Sequence, residues 1–535
     1  MLQTIKTGKS SLGQGIRGAQ STLLLAALRR ELDGQMLIVT STPSSAEQLK
    51  ADLTLLVGAD QCLLFPAYDL LAHEEAYEKE VAGQRLFVLG KLLNAEKVMV
   101  ITSWPALVRK VLPPEELAAF VVPVQIGVEL GRDRFLRQLV TLGYNRVEKV
   151  DTPGEFSVRG DIVDLFPLER PDPLRIEFFG DEVDSLRTFN PETQKSIDKL
   201  ASTLVLPARE GLWTAEQFTA ARAQLKRAVD CQCQRLLKVG NEEKPQEAAD
   251  LLLKRYAELV EKVENGLVFP GMDRLLPLVR ADLTPVWTYL PAAHVVLHEP
   301  VRGSEYLRSL AEENARILGG FIERGLILPE ETGLYLSFNQ IQAALAQRGS
   351  IQLASLNRSL KGSKVSSMQG FPMRMAPDYA GQFKKLVQDL KGRVEKRWTI
   401  VLGVSGAERR RSLAEALQAE ELLTNDRPNQ GGLNPGQIYL APLPLSEGME
   451  LPTDQILLLT EAEIYGRRQR PKKTRARFSK EGIKLTDLGE LSVGDYVVHL
   501  NHGIGRYLGI KKLEIDGAGR EYLEIEYANQ DRLFV

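Results

Sequence analysis

The chain has 535 residues, enough for about three to five domains, and its 44% hydrophobic and 26% charged residues are an ordinary globular balance. A formal net charge of −2 excludes binding to nucleic acid by bulk charge, so any such contact needs a local basic patch. Cys62, Cys231 and Cys233 include no C-x-x-C pair, which excludes a disulfide framework and a cysteine-built zinc site and fits a reducing cytoplasm, and no apolar run reaches the ~20 residues of a membrane span.

At the N-terminus, Gly13-Gln-Gly-Ile-Arg-Gly18 has the glycine spacing of a phosphate-binding loop. The helical run STLLLAALRREL and the strand-like MLIVTS (36–41) follow it. The chemistry is missing. Where a lysine should reach the phosphates and a Ser or Thr should hold magnesium, the chain has Ala19 and Gln20. The spacing therefore predicts a degenerate nucleotide fold that does not hydrolyse ATP. Strand and helix patterns alternate through 63–108, as in a doubly wound parallel sheet.

A helix is predicted from Leu130 to near Gly143, and then the pattern changes period. GEFSVRGDIVDLFP and PLRIEFFGDEVDSLRTF alternate apolar and polar residues, with a turn at Gly180. Leu174, Ile176 and Phe178 share one face; Arg175, Glu177 and Phe179 share the other. Two readings of Phe179 stand: an apolar anchor on an exposed face beside arginine, or ordinary core of a sheet covered on both sides. Arg159 likewise reads as a contact residue or as the partner of Asp161 or Asp164.

Helical periodicity fills 213–240 and 243–266, and VWTYLP (286–291) and HVVLHEP (294–300) read as short strands. His294 and His298 lack further ligands, so no metal site is expected, and Glu299 stands alone as an acidic position at a strand end. RWTIVLGVSGAERRRSLAEALQAE (397–420) reads as strand, turn and helix without a phosphate-loop lysine. RRQRPKKTRARFSK (467–480) is basic and acid-free, a solvated linker or a nucleic-acid contact. From 491 onward, strands separated by glycine-rich turns predict a small barrel.

Three segments carry a family resemblance. FPAYDLL and GQRLFVL, the 154–189 segment, and VVHLNHGIGRYLGI…EYLEIEYANQDRLFV together resemble the N-terminal half of the transcription-repair coupling factors. The first two are also similar to the UvrB repair helicases. The resemblance implies an α/β multidomain protein. A degenerate helicase-like α/β domain (1–122 and 209–350) would be interrupted by an inserted α+β docking domain (123–208). A small α/β middle domain (351–465), a basic linker (466–486) and a CarD/Tudor-like β-barrel (487–535) would follow.

It also implies UvrA binding through Arg159, Arg175, Phe179 and Arg187, and RNA polymerase β-subunit binding through Tyr522, Leu523, Glu524 and Ile525, by strand-edge pairing and apolar contact. In the family an ATP- and Mg-dependent DNA-translocating motor follows, and a later domain masks the UvrA face. The expectation for this stretch alone is a monomeric, cytoplasmic adaptor without cofactor, unmasked toward UvrA, with an unpaired sheet edge near Val535. Two rivals are a polymerase-binding regulator that never meets UvrA, and a nucleotide hydrolase using Gly13, Gly18, Ala19 and Gln20.

Overall fold

The computed structural model describes residues 8–16, 19–68, 79–238, 245–269, 271–372, 374–425, 432–466 and the strands of 496–534. A seven-stranded sheet organises the first part. Its order is Val365–Gly370, Ser10–Gln14, Ser350–Ala354, His294–His298, Met36–Thr40, Met99–Ser103 and Cys62–Phe65. Every pairing in it is parallel. Parallel strands covered on both faces need apolar residues at every position, and MLIVT is buried throughout. Leu37, Val39 and Val100 enter one core, while Met36, Ile38, Met99 and Ile101 enter the other. The helix Pro43–Val57 starts where Thr42 caps the Ser45 amide and ends at Gly58, whose φ of +96° suits glycine.

Between strands 99–103 and 294–298 the chain leaves this sheet. Val122–Gln125 and Ser202–Val205 pair antiparallel and form a neck. Beyond it stand the helix Arg132–Thr141 and a six-stranded sheet with its own core. The neck is held by buried charge. Arg85, 0% exposed, donates through Nε to Glu210 Oε1 at 2.6 Å. Arg109 pairs with Asp273, and the Arg85 and Arg109 guanidiniums lie 4.9 and 4.2 Å from the Tyr68 ring centroid. These charges persist inside the protein because each has a partner.

Two expectations are corrected. Residues 286–291 do not form a strand: Val286–Tyr289 is a 3-10 turn between Pro285 and Pro291, neither of which can donate to a ladder. The small domain does not begin at 351, because Ser350–Ala354 and Val365–Gly370 both join the first sheet. Its own sheet runs Thr424–Asn425, Ile438–Ala441, Thr399–Gly403, Ile456–Thr460 and Met449–Leu451, flanked by helices Phe383–Glu395 and Ala407–Ala419. The C-terminal unit is an antiparallel meander of Tyr496–His499, Gly503–Ile515, Ala518–Glu526 and Arg532–Phe534. Its outer strands do not pair with each other among the described residues, so a closed barrel is not observed. The basic 467–480 run lies outside the described residues.

The phosphate-loop region has the expected strand–turn–helix order, with Gly13 in the strand, Gly15 in the turn and the helix Ala19–Glu31 beyond; Gly18 lies outside the described residues. Other parts of the chain cover it. The Phe371 carbonyl oxygen lies 2.8 Å from where a Gly15 Cβ would sit, and Gln20 donates to the Arg374 carbonyl at 3.1 Å. Ala19 packs on Leu445, Met449 and Leu458 of the small domain, and Asp52 accepts the Ser446 amide and pairs with its hydroxyl. Ala19 and Gln20 are each 1% exposed. The helix N-terminus, where a nucleotide phosphate would bind, has become a domain contact.

Glu299 is also absorbed structurally. It precedes the helix Pro300–Glu323, and its Oε1 accepts the Ser355 amide at 2.8 Å. No cluster suited to a metal occurs among the described residues, and no described helix is long and apolar enough to cross a membrane.

Restoring the loop chemistry with Ala19→Lys/Gln20→Thr is expected to lower the melting temperature and to leave ATP binding undetectable by calorimetry, because the new side chains enter a closed contact. Arg85→Met is expected to destabilise the neck by about 2–4 kcal/mol, the cost of removing one partner of a buried ion pair while Glu210 keeps the Tyr68 hydroxyl and the more distant Arg109, read by urea unfolding of the first domain.

Candidate partner-docking face

The inserted sheet runs Ser196–Lys199, Glu182–Phe189, Leu174–Phe179, Ile162–Phe166, Glu155–Arg159 and Asn145–Arg146. One face is core: Phe156, Val163, Leu165, Leu174, Ile176, Phe178, Val183 and Leu186 pack with Phe135 and Leu139 of the helix Arg132–Thr141. Strand alternation then fixes the outer face. Phe178 reaches the core, its ring centroid 6.1 Å from that of Phe135, so the adjacent Phe179 has to point outward. Phe179 is 82% exposed, next to the Gly180 turn with φ +63°. Of the two readings of this residue, the structure selects the exposed one.

Register aligns one polar row across the outer face. Ser157 opposes Asp164, Asp164 opposes Arg175, Arg175 opposes Arg187, and Arg187 opposes Lys199. Asp164 is the centre of this row and is only 2% exposed. It receives Arg175 Nε at 2.6 Å on one oxygen and Arg175 Nη2 at 2.8 Å on the other, a fork-to-fork pair, and Arg159 Nη2 at 2.6 Å. Gln194 closes the group by accepting Arg175 Nη2 through its side-chain oxygen at 2.9 Å. Its loop is shaped by Asn190, whose side chain accepts the Glu192 and Thr193 amides. The Arg175 guanidinium also stacks 4.4 Å above the Phe189 ring. The Asp164 bond is the main reason that the Arg175 proton is held even more firmly than usual.

The four residues expected to face UvrA are therefore unlike one another. Arg159, with 53% of its side chain exposed, and Phe179 are open to a partner. Arg175 has 14% of its side chain exposed, and its planar fork is spent on Asp164, so it organises the face rather than offering a free bidentate cation. Arg187 is partly exposed and paired with Glu177, which also accepts Ser185 Oγ. Phe179 lies four residues along the strand from Arg175, about 13 Å at the usual rise, so anchor and ion-pair group occupy different ends of one face. Sequence reasoning named Asp164 only as an alternative partner for Arg159 and missed Gln194. The one local signal for Gln194 was the Asn190-Pro191 turn, which says that the chain bends but not over what.

In the C-terminal unit, Tyr522, Leu523, Glu524 and Ile525 lie in the strand Ala518–Glu526. That strand pairs with 503–515 along its length and with 532–534 at Glu524, Ile525 and Glu526. Backbone pairing with a partner at Glu524 and Ile525 is thereby ruled out, because their ladder is filled on both sides. Ile525 is the direct neighbour of the buried Tyr507.

Comparison with known proteins agrees with this geometry. The UvrB interaction domain family matches residues 122–210, and the CarD-like/TRCF RID domain family matches 491–535. A transcription-repair-coupling factor of Bacillus subtilis (strain 168) is 30% identical over 535 residues, covering 98% of this chain and 44% of that protein. The transcription-repair-coupling factor of Staphylococcus aureus (strain USA300) is 25% identical with the same coverage. The chain thus spans less than half the length of these relatives. With its two signature domains in the matching order, the chain belongs to the transcription-repair-coupling factor family, corresponding to the N-terminal half of its members.

Proposed function

We propose that these residues form a two-ended adaptor: the outer face of the inserted sheet docks UvrA, and the 491–535 module docks the β subunit of RNA polymerase, so that excision repair is brought to stalled transcription. The observation that carries the reading is the exposed Phe179, standing on a face whose charges are already ordered. A preorganised face loses little side-chain freedom on binding, and a rigid aromatic at its end is the usual form of an interface hot spot. The polar row supplies orientation more than affinity. Arg159 presents its unused nitrogens at the rim, where charge mainly guides association and is screened by salt.

This adaptor uses no ATP. Among the described residues the helix N-terminus at Ala19 is covered by the small domain, which speaks against the hydrolase reading. At the polymerase end, Tyr522, Leu523, Glu524 and Ile525 lie on one strand, and because Glu524 and Ile525 are already paired on both sides, their contact with the polymerase would be through side chains.

Phe179→Ala is expected to weaken UvrA binding by about 2–4 kcal/mol, roughly thirty- to a thousand-fold, with an unchanged melting temperature, as measured by calorimetric titration and thermal melting. Unaltered UvrA affinity in that variant contradicts the docking assignment. Arg175→Ala is expected to lower both UvrA affinity and fold stability, the latter by about 2–3 kcal/mol, because Asp164 stays buried with only Arg159 beside it. Arg159→Ala, removing an exposed partner, should cost under about 1 kcal/mol of stability while still slowing association at low salt.

A further inference from the structure

The two edges of the seven-stranded sheet are treated differently. Cys62–Phe65 at one edge is almost wholly buried. Val365–Gly370 at the other is exposed at Ser366, Met368, Gln369 and Gly370, and among the described residues it pairs only with Ser10–Gln14. Proteins ordinarily blunt an open edge with charge, proline or cover. This strand reads VSSMQG, with no charge and no proline of its own. Its outward backbone donors and acceptors form a ready ladder.

The sequence around the strand is electrostatically one-sided, although Glu450, itself paired with Arg393, bridges Arg374 through the backbone. No Asp or Glu occurs between Glu331 and Asp378, although acids make up 70 of the 535 residues. Arg358, Lys361 and Lys364 precede the strand and Arg374 follows it. All four are exposed, and none forms an ion pair among the described residues. Met368 and Met375 are exposed as well, and flexible thioethers adapt to varied apolar contacts.

We propose that Val365–Gly370 is a docking edge for an extended acidic peptide segment of a partner protein, which adds to the sheet as an eighth strand. Its backbone would complete the ladder, its carboxylates would meet Lys361, Lys364 and the flanking arginines, and apolar side chains at alternate positions would lie against Met368. Charge alone would suit a nucleic acid equally. The open ladder and the exposed methionine favour a peptide. The site is separate from the face around Phe179, so the two assignments stand or fall independently.

The test is fluorescence anisotropy of the full chain with a labelled, N-acetylated peptide of alternating Glu and Val. Two comparison ligands are the same peptide N-methylated at alternate amides and an oligothymidylate. Saturable binding of the first peptide is expected, weakened roughly tenfold by N-methylation, which removes ladder donors, and roughly tenfold by Lys361→Glu/Lys364→Glu, whose exposed positions leave melting unchanged. Equal binding of the N-methylated peptide would show attraction by charge without strand addition and overturn the proposal. Tighter binding of the oligothymidylate, or no binding of either peptide to the well-folded chain, would overturn it as well.

Discussion

A buried carboxylate on the outer side of a sheet is costly unless its hydrogen bonds are satisfied, and Asp164 meets that condition with the Arg175 fork and Arg159. The rest of the docking face follows. With Asp164 fixed, Arg175 lies flat over Phe189, the Asn190–Gln194 loop folds down onto it, and the neighbouring strand carries its own Arg187–Glu177 pair. The ion pairs contribute modest net stability; their effect is to give several long side chains one arrangement before any partner arrives. Phe179 stays outside this group because Phe178 has taken the inward position.

A second constraint acts on the first domain. A parallel sheet with a helix starting just past a strand offers an anion site wherever that helix N-terminus is open. Here the Phe371 and Arg374 carbonyls and the apolar side of the small domain cover the opening, and the Asp52–Ser446 contact ties the two domains together beside it. The loop that lacks the phosphate-binding lysine and hydroxyl is thus the place where the two domains meet.

The sequence was most legible where period and register decide structure. Alternation across 174–179 placed Phe179 and Arg175 on the face opposite Leu174, Ile176 and Phe178, and the nearly all-apolar MLIVT read as a buried strand of a parallel sheet. It was least legible where partners come from far along the chain. Arg85 looks like a surface residue of an amphipathic helix until Glu210 is brought beside it. The strand Val365–Gly370 has no apolar pattern, since it is held by pairing to Ser10–Gln14 rather than by its side chains, and this is why the small domain was begun too early. Barrel closure could not be judged from strand count, because closure depends on pairing between the first and last strands.

The claim on which the account depends is that UvrA sits on the face carrying Phe179. The most direct measurement is photo-crosslinking with p-benzoylphenylalanine in place of Phe179, beside a control carrying the same group at exposed Leu251 on the helix Pro245–Glu264. The account expects a crosslink to UvrA from position 179 that excess unlabelled chain competes away, and none from position 251. A stable complex with UvrA that gives no crosslink at 179 would contradict it.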